Sequence, residues 1–502
     1  MQDSSQHSQT HSPPPGPEPV KHVDEAGSPI PLRIELWRDL QPEVQTFILL
    51  LQSRIASLEE KLRTNSRNSS KPPSSDPPGT PHRRKSKSPR RRGAQKGHKG
   101  HHRALAPVEQ VNEVVACYPV ACDRCDLNLE GLPTLEDDPL RHQVSELPPL
   151  RITITEYRLH RKACPRCHCV STASLPKGVP SGVVGPRLMA IDALMTGRFR
   201  MSRRDCELFN ELVFGMKWSL GTVKRVETTV SEALAEAVNE AAEAIRTSPV
   251  VGMDETGWKE DNKKQFVWIA NTPELAVYKV APHRNAETAQ GIVGEEFDGV
   301  LGTDRFAGYN FQDDKKRQHC LSHVDRDFEK IAQRGGESRA VGEWARRELA
   351  KTFHLWHEFK SGAMTRNQMQ ERLKPIRARL GRCLHQGARL LHVEKQVEAH
   401  KMTARTCAKI LAKFACLWVF AYVEGVEPTN NSSEQGIRPA VRWRRVSFGS
   451  QSSAGSRFVE RILTTVETCR RQGRNALDFV VSAVKAKLNA TASPSLLPQP
   501  DG

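Results

Sequence analysis

After Pro249 the apolar residues stop recurring three and four apart and begin to alternate, and this switch constrains the fold more than any other stretch of the chain. Val250, Val251 and Met253 lead as a short strand into Asp254-Glu255-Thr256-Gly257-Trp258, and residues 265–271 and 275–280 read as two further strands. A helix over residues 285–297 then precedes a fourth strand, 299–302, which ends at Thr303-Asp304-Arg305. The order β, β, β, α, β predicts a mixed sheet in a domain spanning residues 248–485. It puts Asp254 on the first strand and Asp304 just past the fourth, so that adjacent strands can bring both carboxylates within reach of one pair of metal ions.

Two hard divalent cations about 3.5–4 Å apart can activate an attacking oxygen and stabilise a leaving one, but several carboxylates must hold them. The best third acid is Glu434, in the stretch Pro428-Thr429-Asn430-Asn431-Ser432-Ser433-Glu434-Gln435-Gly436-Ile437-Arg438-Pro439. Asn and Ser before it make a helix start, and Arg438, Arg442, Arg444 and Arg445 after it offer phosphate clamps. Taken singly, an Asp at a strand end or a Glu near a helix start more often caps a helix or faces solvent. The three in this order point to a catalytic magnesium or manganese site in a ribonuclease H-like α/β domain.

The rest of the chain favours a polyanionic partner. Its net charge is +17 over 502 residues, and each phosphate neutralised by Lys or Arg releases condensed counterions. Residues 1–35, rich in Ser, Pro, His and Gln, read as disordered. Within residues 36–64, Val44, Ile48, Leu51, Ile55, Leu58 and Leu62 alternate four and three apart, the seam of a coiled coil that would join two or more copies; a helix packed on its own chain fits the same pattern. Residues 65–110 form a Pro-, Ser- and Gly-rich basic linker. Arg83, Arg84, Lys85, Arg90, Arg91 and Arg92 are placed there to contact DNA phosphates, unless the stretch is only a solvated tether.

Residues 111–178 carry two Cys-x-x-Cys pairs, Cys122 with Cys125 and Cys164 with Cys167. Two such knuckles can close a tetrahedron around a structural Zn2+, and the alternating stretch 151–160 suits a strand of a zinc ribbon-like module. Reduced cysteines without metal are the alternative, and Cys117, Cys169 or His168 could replace a ligand. Residues 180–247 are helical. A helix over 202–213, a turn at Phe214-Gly215-Met216 and a helix from Ser219 have the proportions of a helix-turn-helix with Lys217, Lys224 and Arg225 facing DNA, although paired helices with a Gly turn occur in any α domain. Residues 486–502 read as a disordered tail. The fold expected is therefore a multidomain α+β chain.

Several motifs also resemble a known family. DETGW at Asp254, TDRFAGY at Asp304, HCLSH at His319–His323 and NNSSEQGIRP around Glu434, followed by RWRRVSFGS, are similar to the insertion-sequence-66 family of bacterial transposases. The likeness extends to Asn65-Ser66-Arg67-Asn68-Ser69-Ser70-Lys71-Pro72, to Gly97-His98-Lys99-Gly100-His101 and to the paired cysteines. It implies a DDE transposase whose triad is Asp254, Asp304 and Glu434, with a mostly helical insertion over about 325–425. It also implies double-stranded DNA partners (terminal repeats and target), oligomers, small accessory proteins and a bacterial, nucleoid-associated location. His323 would contact DNA or assist proton transfer, or simply pack. Two positions depart from the family pattern: Cys320-Leu321-Ser322-His323 stands where Cys-Trp-Ala-His is usual, and Gln435 stands where Arg usually follows the glutamate, removing a cation beside the scissile phosphate.

Two other functions use the same residues: a DNA-binding protein with vestigial acids, and a nuclease that cuts without joining. The polar, Pro-rich start is unlike a signal peptide, no apolar run approaches the ~20 residues that span a bilayer, and sparse paired cysteines suit a reducing compartment, so a cytoplasmic protein without membrane contact is expected.

Overall fold

The computed structural model describes residues 22–23, 29–30, 36–37, 39–65, 68, 104–134, 140–150, 152–392 and 398–498. The six basic residues Arg83, Arg84, Lys85, Arg90, Arg91 and Arg92 lie outside the described residues. The chain divides into two compact units, one of Pro81–Glu156 with Leu212–Gly215 and one containing the remainder.

In the smaller unit the described backbone is mostly irregular. An isolated bridge pairs Ala121 with Asn128 around the first cysteine pair, and the Gln143 side-chain amide both accepts from the Ala106 N–H (2.8 Å) and donates to its carbonyl (3.0 Å).

The larger unit holds a five-stranded mixed sheet. Its strands are β5 (Val250–Glu260), β6 (Lys263–Asn271), β7 (Ala276–Ala281), β8 (Val300–Thr303) and β9 (Arg317–His319), in the spatial order β7-β6-β5-β8-β9. The first three pair antiparallel, as tight turns allow; β8 runs parallel to β5 and β9 parallel to β8, because helix α6 (Ala286–Val293) and a long loop make the crossovers. Val251, Met253, Val267, Trp268, Ile269, Ala270 and Leu301 are fully buried in it. The four expected strands are present; β9, three residues long, was not foreseen.

The helices preceding the sheet are α2 (Pro186–Gly197), α3 (Arg203–Phe214), α4 (Leu220–Ala233) and α5 (Ala235–Arg246). The expected turn is there: Gly215 has φ +65°, and Ser219 caps α4 by accepting the Thr222 N–H. After the sheet come α7 (Leu321–Ala332), α8 (Gly336–Lys360), α9 (Arg366–Arg389), α10 (Glu398–Leu411) and the short α11 (Val419–Tyr422), the helical insertion expected from the sequence. It has a hydrophobic cluster of its own, to which β8 lends Val300. The chain then returns to the sheet through α12 (Asn431–Ser447), α13 (Ser453–Arg471) and α14 (Ala476–Asn489).

Edge strand β7 shows how helix and strand periods are matched. Its outward N–H groups at Ala276, Tyr278 and Val280 would otherwise lack partners; they donate to Thr468 (3.1 Å), Thr464 (3.0 Å) and Glu460 (2.6 Å) on α13. Two strand residues advance about 6.8 Å and four helix residues about 6 Å, so alternate strand positions meet every fourth helix position.

Two expectations need correction. The tail from 486 is ordered as far as 498: α14 runs to Asn489, Leu496 is fully buried, and the Leu496 carbonyl accepts from Gln472 Nε2 at 2.8 Å. Residues 152–160 are irregular rather than a strand, and the hairpin formed by β3 (Arg161–Ala163) and β4 (Val170–Thr172) begins only after them. Ile154 is 80% exposed there, so the alternating pattern has no surface to bury against. Within 1–35, His22–Val23 (β1) pairs antiparallel with Pro29–Ile30 (β2). Helix α1 (Pro42–Arg63) forms, with Val44, Leu51, Ile55, Leu58 and Leu62 of its seam exposed. Its end is tied to the chain, Glu60 pairing with Lys330 at 3.0 Å and Arg334 at 2.8 Å.

Candidate catalytic centre and nucleic-acid interface

The parallel register of β5 and β8 pairs Gly252 with Gly302. Two residues further along each chain stand Asp254 and Asp304, level with one another on strands whose spacing is about 4.8 Å. Asp254 accepts the Glu255 N–H at 2.9 Å and Asp304 the Phe306 N–H at 2.8 Å. A buried guanidinium fixes the loop behind Asp304: Arg317 donates to the carbonyls of Asp304 (3.0 Å) and Phe306 (2.9 Å), to Thr303 Oγ1 (3.1 Å) and to Asn310 Oδ1 (2.6 Å).

Helix α12 delivers the third acid. Asn430, just before it, donates from Nδ2 to the Met253 carbonyl at 2.6 Å, and Ser433 donates to Asn430 Oδ1 at 2.6 Å. That approach requires glycine on the strand, since a Cβ at Gly252 would stand 2.5 Å from Ser433 Oγ. Glu434 occupies the first turn of α12, with its carboxylate 3.4 Å from His323 Nδ1, 3.7 Å from Arg326 Nη2 and 3.9 Å from Cys320 Sγ.

The charges of both Asp304 and Glu434 bear on Asp254. Burial, then the charges of Glu255, Asp304 and, more weakly, Glu434, hold the Asp254 carboxyl well above the usual carboxylate range. Glu255, which the sequence did not single out, is raised by burial and by Asp304; Tyr309 and Arg284 oppose this. Tyr309 donates to Glu255, and Arg284 Nε donates to it at 2.6 Å while its guanidinium lies 3.8 Å over the Phe306 ring. A helix start, the middle of β5 and the end of β8 thus gather carboxylates with few donors to neutralise them. Such a set fits a hard divalent cation, which relieves the repulsion and offers oxygen-loving coordination. A second donor set overlaps it: Cys320, His323 and Glu434 present ligand atoms within 4.8 Å of one another. His323 Nδ1 is buried without a hydrogen-bond partner; burial and Arg326 lower its pKa against the pull of Glu434 and Asp304.

The cationic candidates divide. Arg438 and Arg442 are exposed on α12, whereas Arg444 donates to the Gly257 carbonyl at 3.2 Å and so braces α12 against β5; Arg445 is exposed. In the helical region Lys217 and Lys224 lie near Glu211 (3.8 Å) and Glu227 (3.9 Å), and Arg225 is exposed with no ion-pair partner among the described residues.

The two cysteine pairs form the same local turn, each within its own unit. Cys122 donates to the Leu127 carbonyl and accepts from Asp126, both at 2.9 Å; Cys164 does likewise with Cys169 (2.8 Å) and His168 (2.9 Å). Asp126 and His168, at φ +55°, make equivalent left-handed closures. Backbone N–H groups of Arg124 and Cys125, and of Cys167 and Arg166, pull the Cys122 and Cys164 thiols below the usual range, as metal-binding knuckles require.

Carboxylates thus gather at a mixed sheet, with arginines on the same helix that carries the last of them. Residues 183–457, more than half of the chain, match the model of the Transposase IS66 family. The chain belongs to that family, and so to the transposases, enzymes that act on DNA and use divalent metal. Residues 19–104 match a family of unknown function (DUF6444). No curated protein matches the chain, and among the described residues no helix is long and apolar enough to cross a membrane.

Proposed function

We propose that this transposase cleaves DNA strands at the ends of its element and joins the freed 3′-hydroxyl to target DNA, with Asp254, Asp304 and Glu434 as its catalytic acids. The observation that carries this is the placement of Asp254 on β5, Asp304 just past β8 and Glu434 in the first turn of α12, where the Asn430–Met253 hydrogen bond ties the helix start to β5. The spatial order β7-β6-β5-β8-β9 supports a ribonuclease H-like fold for the domain.

In this proposal the three acids hold magnesium or manganese, which when bound activates the attacking oxygen and stabilises the leaving one. The chain's own residues do the rest. Asn430 and Ser433 hold the start of α12 against β5 and so set the position of Glu434. Arg317 fixes the Asp304 loop, and Arg284 and Tyr309 keep Glu255 turned to one side of the pair. His323, directed at Glu434, is placed to steady that carboxylate or to take a proton from the attacking hydroxyl. Arg438, Arg442, Lys217, Lys224 and Arg225 contact DNA phosphates, joined by the basic stretch from Arg83 to Arg92.

Each Cys-x-x-Cys pair, Cys122 with Cys125 and Cys164 with Cys167, offers two thiolate ligands to structural zinc, supported by the two like turns and the lowered Cys122 and Cys164 thiols. The exposed seam of α1 pairs with the same seam of a second copy.

The test is product analysis with the element's own ends and Mg2+. Wild type yields nicked or excised ends and joined strands, whereas Asp254→Asn, Asp304→Asn and Glu434→Gln each lower both products by about a thousandfold while still binding DNA. Variants that cut as well as wild type would refute the assignment. Cutting without joining would leave a nuclease, and binding without cutting by wild type would leave a DNA-binding protein.

A further inference from the structure

Beside the acids, on the next turn of α12, the surface opens into a cavity of about 420 Å³. Its wall carries Arg198, Arg200, Arg438 and Arg442, and Phe199 lies among them with 64% of its surface exposed. Among the described residues none of these four guanidiniums has an ion-pair partner. A fifth, Arg470, is engaged with Glu467 at 2.5 Å. Converging cations repel one another unless an anion joins them.

The backbone is also under strain here. Arg200 sits at φ +63°, a conformation that ordinarily favours glycine, and the turn closes with Met201 donating to the Met195 carbonyl at 2.9 Å. Phe199 beside it is exposed, and burial, followed by the charges of Arg442 and Arg198, lowers the Arg200 pKa. Gln435 lines the same cavity, immediately after Glu434. Pro439 also lines it, and as an interior helix proline it cannot donate to the Gln435 carbonyl.

We propose that this cavity captures one unstacked nucleotide of the DNA strand being processed, its phosphates held by Arg200, Arg438 and Arg442 and its base laid on Phe199. The volume suits a nucleotide, and an exposed ring flanked by guanidiniums is the arrangement that binds single strands without reading their sequence. Gln435 places the captured nucleotide next to the scissile phosphate. Arg198 and Arg200, from the end of α2, reach the cavity from another part of the chain. The proposal rests on the DNA-strand substrate of the preceding section.

The experiment is binding alone, with the full chain and no divalent metal. The probes are a blunt duplex of about 20 base pairs, the same duplex with a short single-stranded overhang, and that overhang made abasic. Wild type should prefer the overhang to the blunt duplex. Phe199→Ala should weaken overhang binding by about 5- to 100-fold, as loss of one stacked base does, and leave the blunt and abasic probes unchanged. Phe199 is exposed, so the variant should keep its fold, which its thermal midpoint checks. Arg200→Ala and Arg442→Ala should weaken binding of overhang and abasic probes alike. Equal binding of all three probes by wild type, or Phe199→Ala indistinguishable from wild type on the overhang, overturns the proposal. So does an unchanged preference with the abasic overhang, which would make the cavity a phosphate clamp only. Because no cleavage is read, an overhang preference sensitive to Phe199 stands even if the acids prove inert, whereas failure to bind any DNA would overturn both readings.

Discussion

Two patches of like charge sit one turn apart along α12, and they are opposites. At its start Glu434 lies near Asp254 and Asp304, whose neighbour Glu255 is engaged by Arg284 and Tyr309, and no ion pair is formed by Asp254 or Asp304 among the described residues. A turn later Arg438 and Arg442 meet Arg198 and Arg200, four guanidiniums without ion-pair partners among the described residues. Each patch raises the free energy of the isolated protein, and they do not neutralise each other although one helix carries both. A stable fold would pair them; keeping them apart leaves each to be satisfied from outside, one by a cation and the other by a phosphate chain. The comparison teaches that the uncompensated charge, rather than the charge itself, marks the functional surface.

The largest way to break the symmetry lies on the acidic side. Asp254 has a raised pKa in the folded state, so its contribution to stability is present at low pH and is lost as pH rises through that raised value. A divalent cation binds the ionised form. The rise in Tm on adding Mg2+ should therefore be several degrees at pH 8 and close to nil at pH 5. Asp254→Asn should raise the metal-free Tm at pH 8 and abolish the response to Mg2+. A magnesium effect equal at both pH values, or retained by the variant, would break the comparison.

On the basic side the expected effect is smaller and is read in salt. Replacing Arg438 and Arg442 together by Ala should lower the slope of log affinity against log salt by about 2, one for each lost phosphate contact, with little change in Tm. An unchanged slope would show that these guanidiniums do not meet the backbone.

A third uncompensated group sharpens the contrast, with the smallest effect. Asp192 is fully buried in α2, its carboxyl pushed up to about 6 by burial, against the hydrogen bond from Asn210 Nδ2 at 3.0 Å. Its hydrogen-bonding neighbours among the described residues are Asn210 and Cys206, both neutral, so it carries a cost without a ligand. Because the folded pKa is raised, ionisation destabilises the protein above about pH 6. Asp192→Asn should add roughly 1–2 kcal/mol at pH 8, add nothing at pH 4 and leave DNA binding alone. Equal stabilisation at both pH values would assign the gain to packing instead.

Asp254, Asp304 and the approach of Glu434 were legible in the sequence because strand alternation, turn residues and a helix start are local signals. Glu255 and Tyr309 were not, since their contact spans a crossover that no local pattern encodes. Arg198 and Arg200 escaped for the same reason: they read as residues at a helix end until the fold sets them against Arg442. Strand β9 was missed because three residues are too few to show a period, and the ordered tail because one buried leucine, Leu496, fixes a segment of polar composition. The stretch 152–160 failed in the other direction: alternation was present, but no partner strand adjoins it.

The insertion leaves the sheet and returns to it through a single stitch. The Leu321 N–H donates to the Pro428 carbonyl at 2.9 Å, and the Asn430 N–H donates to Cys320 Sγ at 3.2 Å. Departure and return are thus neighbours, whatever length of chain lies between them. Loop closure changes by only about 0.6 kcal/mol for each doubling of length. The helices between these two points can therefore grow, shrink or be exchanged over evolutionary time while Glu434 keeps its station, which makes this stretch the natural place for such a chain to diversify without relearning its chemistry.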